Sequence, residues 1–187
     1  MAQGDINLTF SSGQAITASA ASTYTYDMAQ GVVTTTGGTY LTNSAAGLPL
    51  TFGNATYYGN DFGIGSKRLS LMAWVGTAFA TGTSLQISWR GAPDNGGGTI
   101  AGLTFTTYAS GPVIPVATLT AAQIISLPDW PFDLPGNLGS NPPPRFVQLY
   151  YTVAGSNFTA GTITAGVFNA VSRNRLGSYP SGFSVGP

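Results

Sequence analysis

Three stretches of this chain place an apolar residue at every second position, and none holds the 3.6-residue period of an amphipathic helix. In Leu69-Ser70-Leu71-Met72-Ala73-Trp74-Val75 every odd position is apolar, and Leu85-Gln86-Ile87-Ser88-Trp89-Arg90 adds polar residues at the even ones. Thr162-Ile163-Thr164-Ala165-Gly166-Val167-Phe168 repeats the pattern. A fourth stretch, Arg145 to Val153, is rich in β-branched and aromatic residues, as befits a strand near the middle of a sheet. Successive side chains of a strand point to opposite faces, so such segments are built to bury one face each. Shorter strands are expected at Ile6–Phe10, Gly31–Thr36, Leu48–Phe52, Leu103–Tyr108, Val113–Ala117 and Ile124–Leu127, with room for a helical turn only at Leu119–Ile125.

The breaks between strands are turn chemistry: Asp94-Asn95-Gly96-Gly97-Gly98, Pro135-Gly136-Asn137 and the stiff Asn141-Pro142-Pro143-Pro144. Many short strands with Gly and Pro between them predict an all-β fold, a jelly-roll-like antiparallel β-sandwich. A length of 187 residues fits a single domain over 1–187. One internal echo stands out. Val75-Gly76-Thr77-Ala78-Phe79-Ala80-Thr81-Gly82-Thr83 resembles Val153 to Thr162, each a Gly-bounded loop carrying one Phe between two strands. They read as two equivalent hairpins at corresponding places in two packed sheets, with the Phe tucked under the turn.

Charge narrows the function. The chain has 6 basic and 6 acidic residues, all of the latter Asp, and lacks Glu, His and Cys. Cys/His metal sites, disulfides and His-based triads are thereby excluded. Zero net charge from sparse cations removes the footprint that phosphate-backbone binding needs, so no nucleic-acid partner is expected. No apolar run reaches the ~20 residues that span a bilayer, and Met1 to Asp5 has no signal-peptide character, so a soluble chain without an export signal is expected. With only 6% of residues charged, either a partner covers much of the surface or Thr, Ser and Asn make it polar without charge.

The motifs that resemble catalytic or ligand sites are weak. Asp129 and Asp133 flank Trp130-Pro131-Phe132 but define no cleft with one carboxyl of raised pKa, so no catalytic residue is assigned. Gly63-Ile64-Gly65-Ser66-Lys67-Arg68 lacks the spacing of a phosphate loop, and Asp94-Asn95-Gly96 lacks a calcium loop's acidic partners. No cofactor and no metal site is expected. The sequons at Asn7, Asn54 and Asn157 carry weight only in an exported eukaryotic protein. Tyr24, Tyr26, Tyr40, Tyr57 and Tyr58 crowd the first third of the chain. They suit a protein or sugar contact surface, or ordinary sheet packing.

In order along the chain, Ser11-Ser12-Gly13-Gln14-Ala15-Ile16-Thr17, Asp61-Phe62-Gly63-Ile64-Gly65, Ile114-Pro115-Val116-Ala117-Thr118-Leu119 and Arg145 to Gly166 resemble landmarks of the jelly-roll capsid cement (decoration) proteins of tailed bacteriophages. Tyr179-Pro180-Ser181-Gly182-Phe183 is similar to a tail ending of some members, and the likeness covers roughly two-thirds of the chain. The extra residues from Met28 to Asn60 depart from the shorter family pattern and read as a loop excursion toward a neighbouring subunit. The resemblance implies a non-enzymatic virion protein, made in the host cytoplasm and bound to the outer surface of an icosahedral head. There it would clamp neighbouring major capsid subunits and pair with its own copies, as a dimer or a trimer. Extended arms at Met1–Asp5 and in the C-terminal region from about 169 to 187 would wrap a neighbour, with Arg173, Arg175, Tyr179 and Phe183 as contacts. The alternative is a carbohydrate- or receptor-binding β-sandwich module, which would expose two or three coplanar aromatics from among Trp74, Trp89 and Trp130.

Overall fold

The computed structural model describes residues 4–27, 32–35, 50–52, 55–57, 69–93, 100, 102–127 and 144–169. Among these described residues twelve strands follow in chain order: β1 (Gly4–Ala15), β2 (Ala20–Ala21), β3 (Tyr24–Asp27), β4 (Val32–Thr35), β5 (Leu50–Phe52), β6 (Ala55–Tyr57), β7 (Leu69–Val75), β8 (Ser84–Ala92), β9 (Thr106–Pro115), β10 (Ile124–Ser126), β11 (Phe146–Ala154) and β12 (Thr162–Asn169). The described helical content is one 3-10 turn at Val116–Thr118, just before the segment expected to hold one.

All strand pairings are antiparallel, in a four-stranded sheet β1-β12-β7-β10 and a larger sheet β4-β3-β11-β8-β9 in which β2 also pairs β11. With β1, β3, β7, β8, β9, β10, β11 and β12 counted as first to eighth, the sheets read first-eighth-third-sixth and second-seventh-fourth-fifth. Only β8 to β9 stays within a sheet, and every other connection among these eight crosses to the opposite one. This is the strand order of a jelly roll, so the chain is a jelly-roll-like β-sandwich. Strands four places apart in chain order occupy equivalent positions, giving the sandwich an internal two-fold arrangement.

Alternation decides what lies between the sheets. Leu85, Ile87 and Trp89 of β8, Val147, Leu149 and Tyr151 of β11, and Ala73 and Val75 of β7 all point inward and are buried. Phe10 of β1 meets Trp89 of the facing sheet edge-on, with ring centroids 5.2 Å apart. Burying each large apolar side chain contributes about 1.5–3 kcal/mol, which makes this layer the principal source of stability. Tyr151 also carries a polar atom inward, and its hydroxyl lies 2.7 Å from Ser11 Oγ.

β2 and β3 run along the same side of β11, interrupted at Ser22. There the Leu149 N–H donates to Ser22 Oγ at 3.1 Å, while Ser22 N–H donates to the Leu149 carbonyl at 2.9 Å. The hydroxyl thus replaces the carbonyl that a regular ladder would supply.

Several expectations are corrected. The two echoing loops are not hairpins, because β7 and β12 belong to one sheet while β8 and β11 belong to the other. Each loop crosses between sheets, and the two are related by the internal two-fold. The Phe side chains do tuck inward: Phe79 and Phe158 are buried and meet edge-on at 4.9 Å. Parts of the segments expected as two strands at 103–108 and 113–117 join in the single strand β9, bulged where Ser88 pairs Ser110 but Gln86 pairs Val113, while 103–105 are not strand and 116–117 enter the 3-10 turn. Gly111 and Pro112 occupy that bulge, which hid the strand's continuity. Gly4 and Asp5, assigned to an N-terminal arm, already belong to β1, and Asn169 of the C-terminal arm ends β12. Within the expected Met28–Asn60 excursion, β4 extends the larger sheet beside β3, and β5 and β6 form a separate two-stranded sheet.

Candidate functional site

The outward face of the larger sheet collects the polar positions that alternate with the core. Gln86, Ser88 and Arg90 of β8 lie beside Gln148, Tyr150 and Thr152 of β11, with Thr107, Ser110 and Val113 of β9 on the other flank. Ser88 and Ser110 share a hydroxyl–hydroxyl bond of 3.0 Å, and Gln86 Nε2 donates to the Gly111 carbonyl at 2.9 Å. Arg90 lies flat against Tyr150, its guanidinium carbon 3.4 Å from the ring centroid, and its Nε donates to Thr107 Oγ1 at 3.3 Å. Such a cation–π contact is worth about 0.5–1 kcal/mol at an exposed site and fixes the plane of the guanidinium.

At the β3 end of this face stands a buried ion pair. Asp27, fully buried, accepts Arg145 Nε at 3.0 Å on Oδ1 and Nη2 at 2.9 Å on Oδ2, the fork geometry of a bidentate carboxylate pair. Arg145 also stacks 4.9 Å from the Phe146 ring centroid. Asp27 closes β3 and Arg145 immediately precedes β11, so the pair ties the end of β3 to the start of β11. Thr25 Oγ1 donates to Gln148 Oε1 at 3.2 Å beside it.

The far rim is made by the two crossing loops. Ala80 and Ala160 form an antiparallel bridge, and Thr81 Oγ1 donates to the Asn157 carbonyl at 2.9 Å while accepting the Thr159 N–H at 3.0 Å. Thr77, Thr81, Thr83, Ser156, Asn157 and Thr159 are all exposed, giving a rim of hydroxyls and amides without charge.

The structure separates the residues singled out from sequence. Tyr26 is a core residue, 3% exposed, packed between the sheets; it is withdrawn as a surface contact. Inward-facing positions on β3 alternate with Thr25 and Asp27, and the short strand simply uses Tyr to fill the layer. Tyr24 is half-buried against the same core, and Tyr57 lies on β6 opposite Leu50. Tyr40, Tyr58, Arg173, Arg175, Tyr179 and Phe183 lie outside the described residues, as do Asp129, Asp133, Trp130, Asp94 and the Gly63–Arg68 turn. Trp89 is buried, as its shared face with Leu85 and Ile87 predicts, and Trp74 is half-buried on the opposite face of β7 between Thr164 and Ile124.

Sequence reasoning passed over Arg90 and Tyr150. Alternation alone puts both on the outward face, at even positions of their strands, although each stands in a run whose other face builds the core. Among the described residues no three acidic side chains come together to hold a metal, every buried polar side-chain atom has a partner, and no helix is long and apolar enough to cross a membrane. Comparison with protein-family models and with curated proteins finds no match to this chain.

Proposed function

We propose that this chain is a capsid cement protein, a structural virion component that binds the outer surface of an icosahedral phage head and clamps neighbouring major capsid subunits. The observation that carries the reading is a jelly-roll frame whose outward strands present neutral hydroxyls and amides: of the cations on described strands and turns, Arg145 is locked to Asp27 and Arg90 lies on Tyr150. Broad faces with little charge are inexpensive to desolvate, and a shell repeats each contact many times, so modest interfaces sum to tight holding. The ordered resemblance of strand-and-turn phrases to cement proteins supports the same reading. Major capsid subunits and further copies of this chain are the partners it calls for.

The reading predicts a gain in shell strength. Undecorated, expanded heads incubated with the protein should survive heating and low salt that rupture bare heads. Heads that rupture identically with and without saturating protein would refute the clamp. The sugar-binding alternative calls for a row of exposed aromatics. Trp89 is buried and Trp74 half-covered, so neither supplies a free aromatic plane, and the same protein should leave soluble glucans and chitin oligomers unbound.

A further inference from the structure

We propose that Arg90, held on Tyr150 and Thr107, is a receptor for a carboxylate side chain of a partner protein. The guanidinium is oriented on two sides, stacked 3.4 Å from the Tyr150 ring centroid and bonded through Nε to Thr107 Oγ1 at 3.3 Å. Its two terminal nitrogens, the fork that matches a carboxylate, take no partner among the described residues. The contrast with Arg145 is direct, since there the fork is filled by Asp27.

The surroundings sharpen the preference. Arg90 is half-buried, and its neighbours Gln148, Ser88 and Thr107 are neutral, so among the described residues no carboxylate neutralises this partly desolvated positive charge. A carboxylate makes two parallel charge-assisted bonds to such a fork, and the side chain is already ordered, so little freedom is lost on binding. A nucleic-acid backbone is disfavoured by the zero net charge. A neutral sugar would need the Tyr150 ring face that the guanidinium covers. The occupant is therefore an acidic residue of a protein. Its identification as a major capsid residue rests on the function proposed above; the receptor itself does not.

The test follows the backbone amide resonances of residues 90, 107 and 150 in the full chain while a hexaglutamate peptide is added, with maltohexaose as the neutral control. The expected result is a saturable shift with the peptide, weakened at ~0.5 M salt by screening. It should vanish in Arg90→Gln and weaken several-fold in Arg90→Lys, which keeps the charge and loses the fork. Thr107→Val, which keeps the charge but frees Nε, should weaken the peptide as well, and decides the matter should Arg90→Gln misfold. No shift with the peptide, an equal shift in Arg90→Gln, or shifts only with maltohexaose or on concentrating the protein alone would overturn the receptor. Undecorated heads then assign the partner. Binding lowered at least ~10-fold by Arg90→Gln places the carboxylate on the capsid. Heads that bind neither form, beside intact peptide binding, would remove the cement reading and leave the receptor standing.

Discussion

Tyr151 is fully enclosed by the sandwich, and burial pushes its phenol well above the ordinary value of 10.0, against a smaller opposing effect of the Ser11 hydroxyl bond. The sign for stability follows from linkage. The unfolded chain loses this proton near its ordinary value while the folded chain keeps it, so the unfolded state binds fewer protons above that pH. Stability contributed by Tyr151 is complete below about pH 10 and declines as pH rises through the folded pKa. Denaturant unfolding followed from neutral pH to strongly alkaline pH should show this decline. Tyr151→Phe should flatten it, while losing about 0.5–1.5 kcal/mol at neutral pH with the Ser11 bond. The ion pair gives a second prediction at this scale. Asp27→Ala leaves Arg145 with a buried charge and should cost about 3–5 kcal/mol, whereas the double change Asp27→Leu with Arg145→Met should cost much less. Equilibrium unfolding of the single and double variants checks the order.

The two crossing loops are coupled through their aromatics. Gly82 has φ +67° and an added Cβ would stand 2.5 Å from the Phe158 ring; reciprocally, a Cβ on Gly161 would run into the Phe79 ring. Each loop therefore needs its glycine so that the other's Phe can fold beneath it. Phe79→Ala and Phe158→Ala should each cost about 3–5 kcal/mol by unfolding. Their double-mutant cycle should show a coupling of about 0.5–1.5 kcal/mol from the edge-on pair, checked by denaturant titration. How much of these elements can be read in the sequence follows from what each one depends on. Strands β7, β8 and β12 declare themselves by apolar residues at alternate positions, and β11 by its β-branched and aromatic run. β3 is hard to read because Tyr24-Thr25-Tyr26-Asp27 looks like a contact surface as much as a strand. The echoing loops showed their equivalence and their buried Phe, but which sheet the next strand joins is a tertiary choice. Arg90 and Tyr150 meet only because Leu149 pairs Trp89, a register that no local pattern contains.

At the scale of the whole molecule, the jelly-roll order ties distant segments into one rigid frame. β1 pairs β12, and β7 and β8 are held between strands from the second half of the chain. Two of its four edges are poor templates for adding strands, while β1 and β4 form the other two. β10 is three residues long, and β9 carries Pro112 and Pro115 with two register shifts. At those two edges contact through faces and loop rims is favoured over sheet extension, as the clamp proposed above would use. Co-sedimentation of the purified protein with expanded, undecorated heads of the candidate phage, counting copies bound at saturation, tests the claim most directly. The account predicts saturation at a fixed integer ratio to the major capsid subunit. Sedimentation of the protein no greater than in the absence of heads, with heads competent to bind, would contradict it.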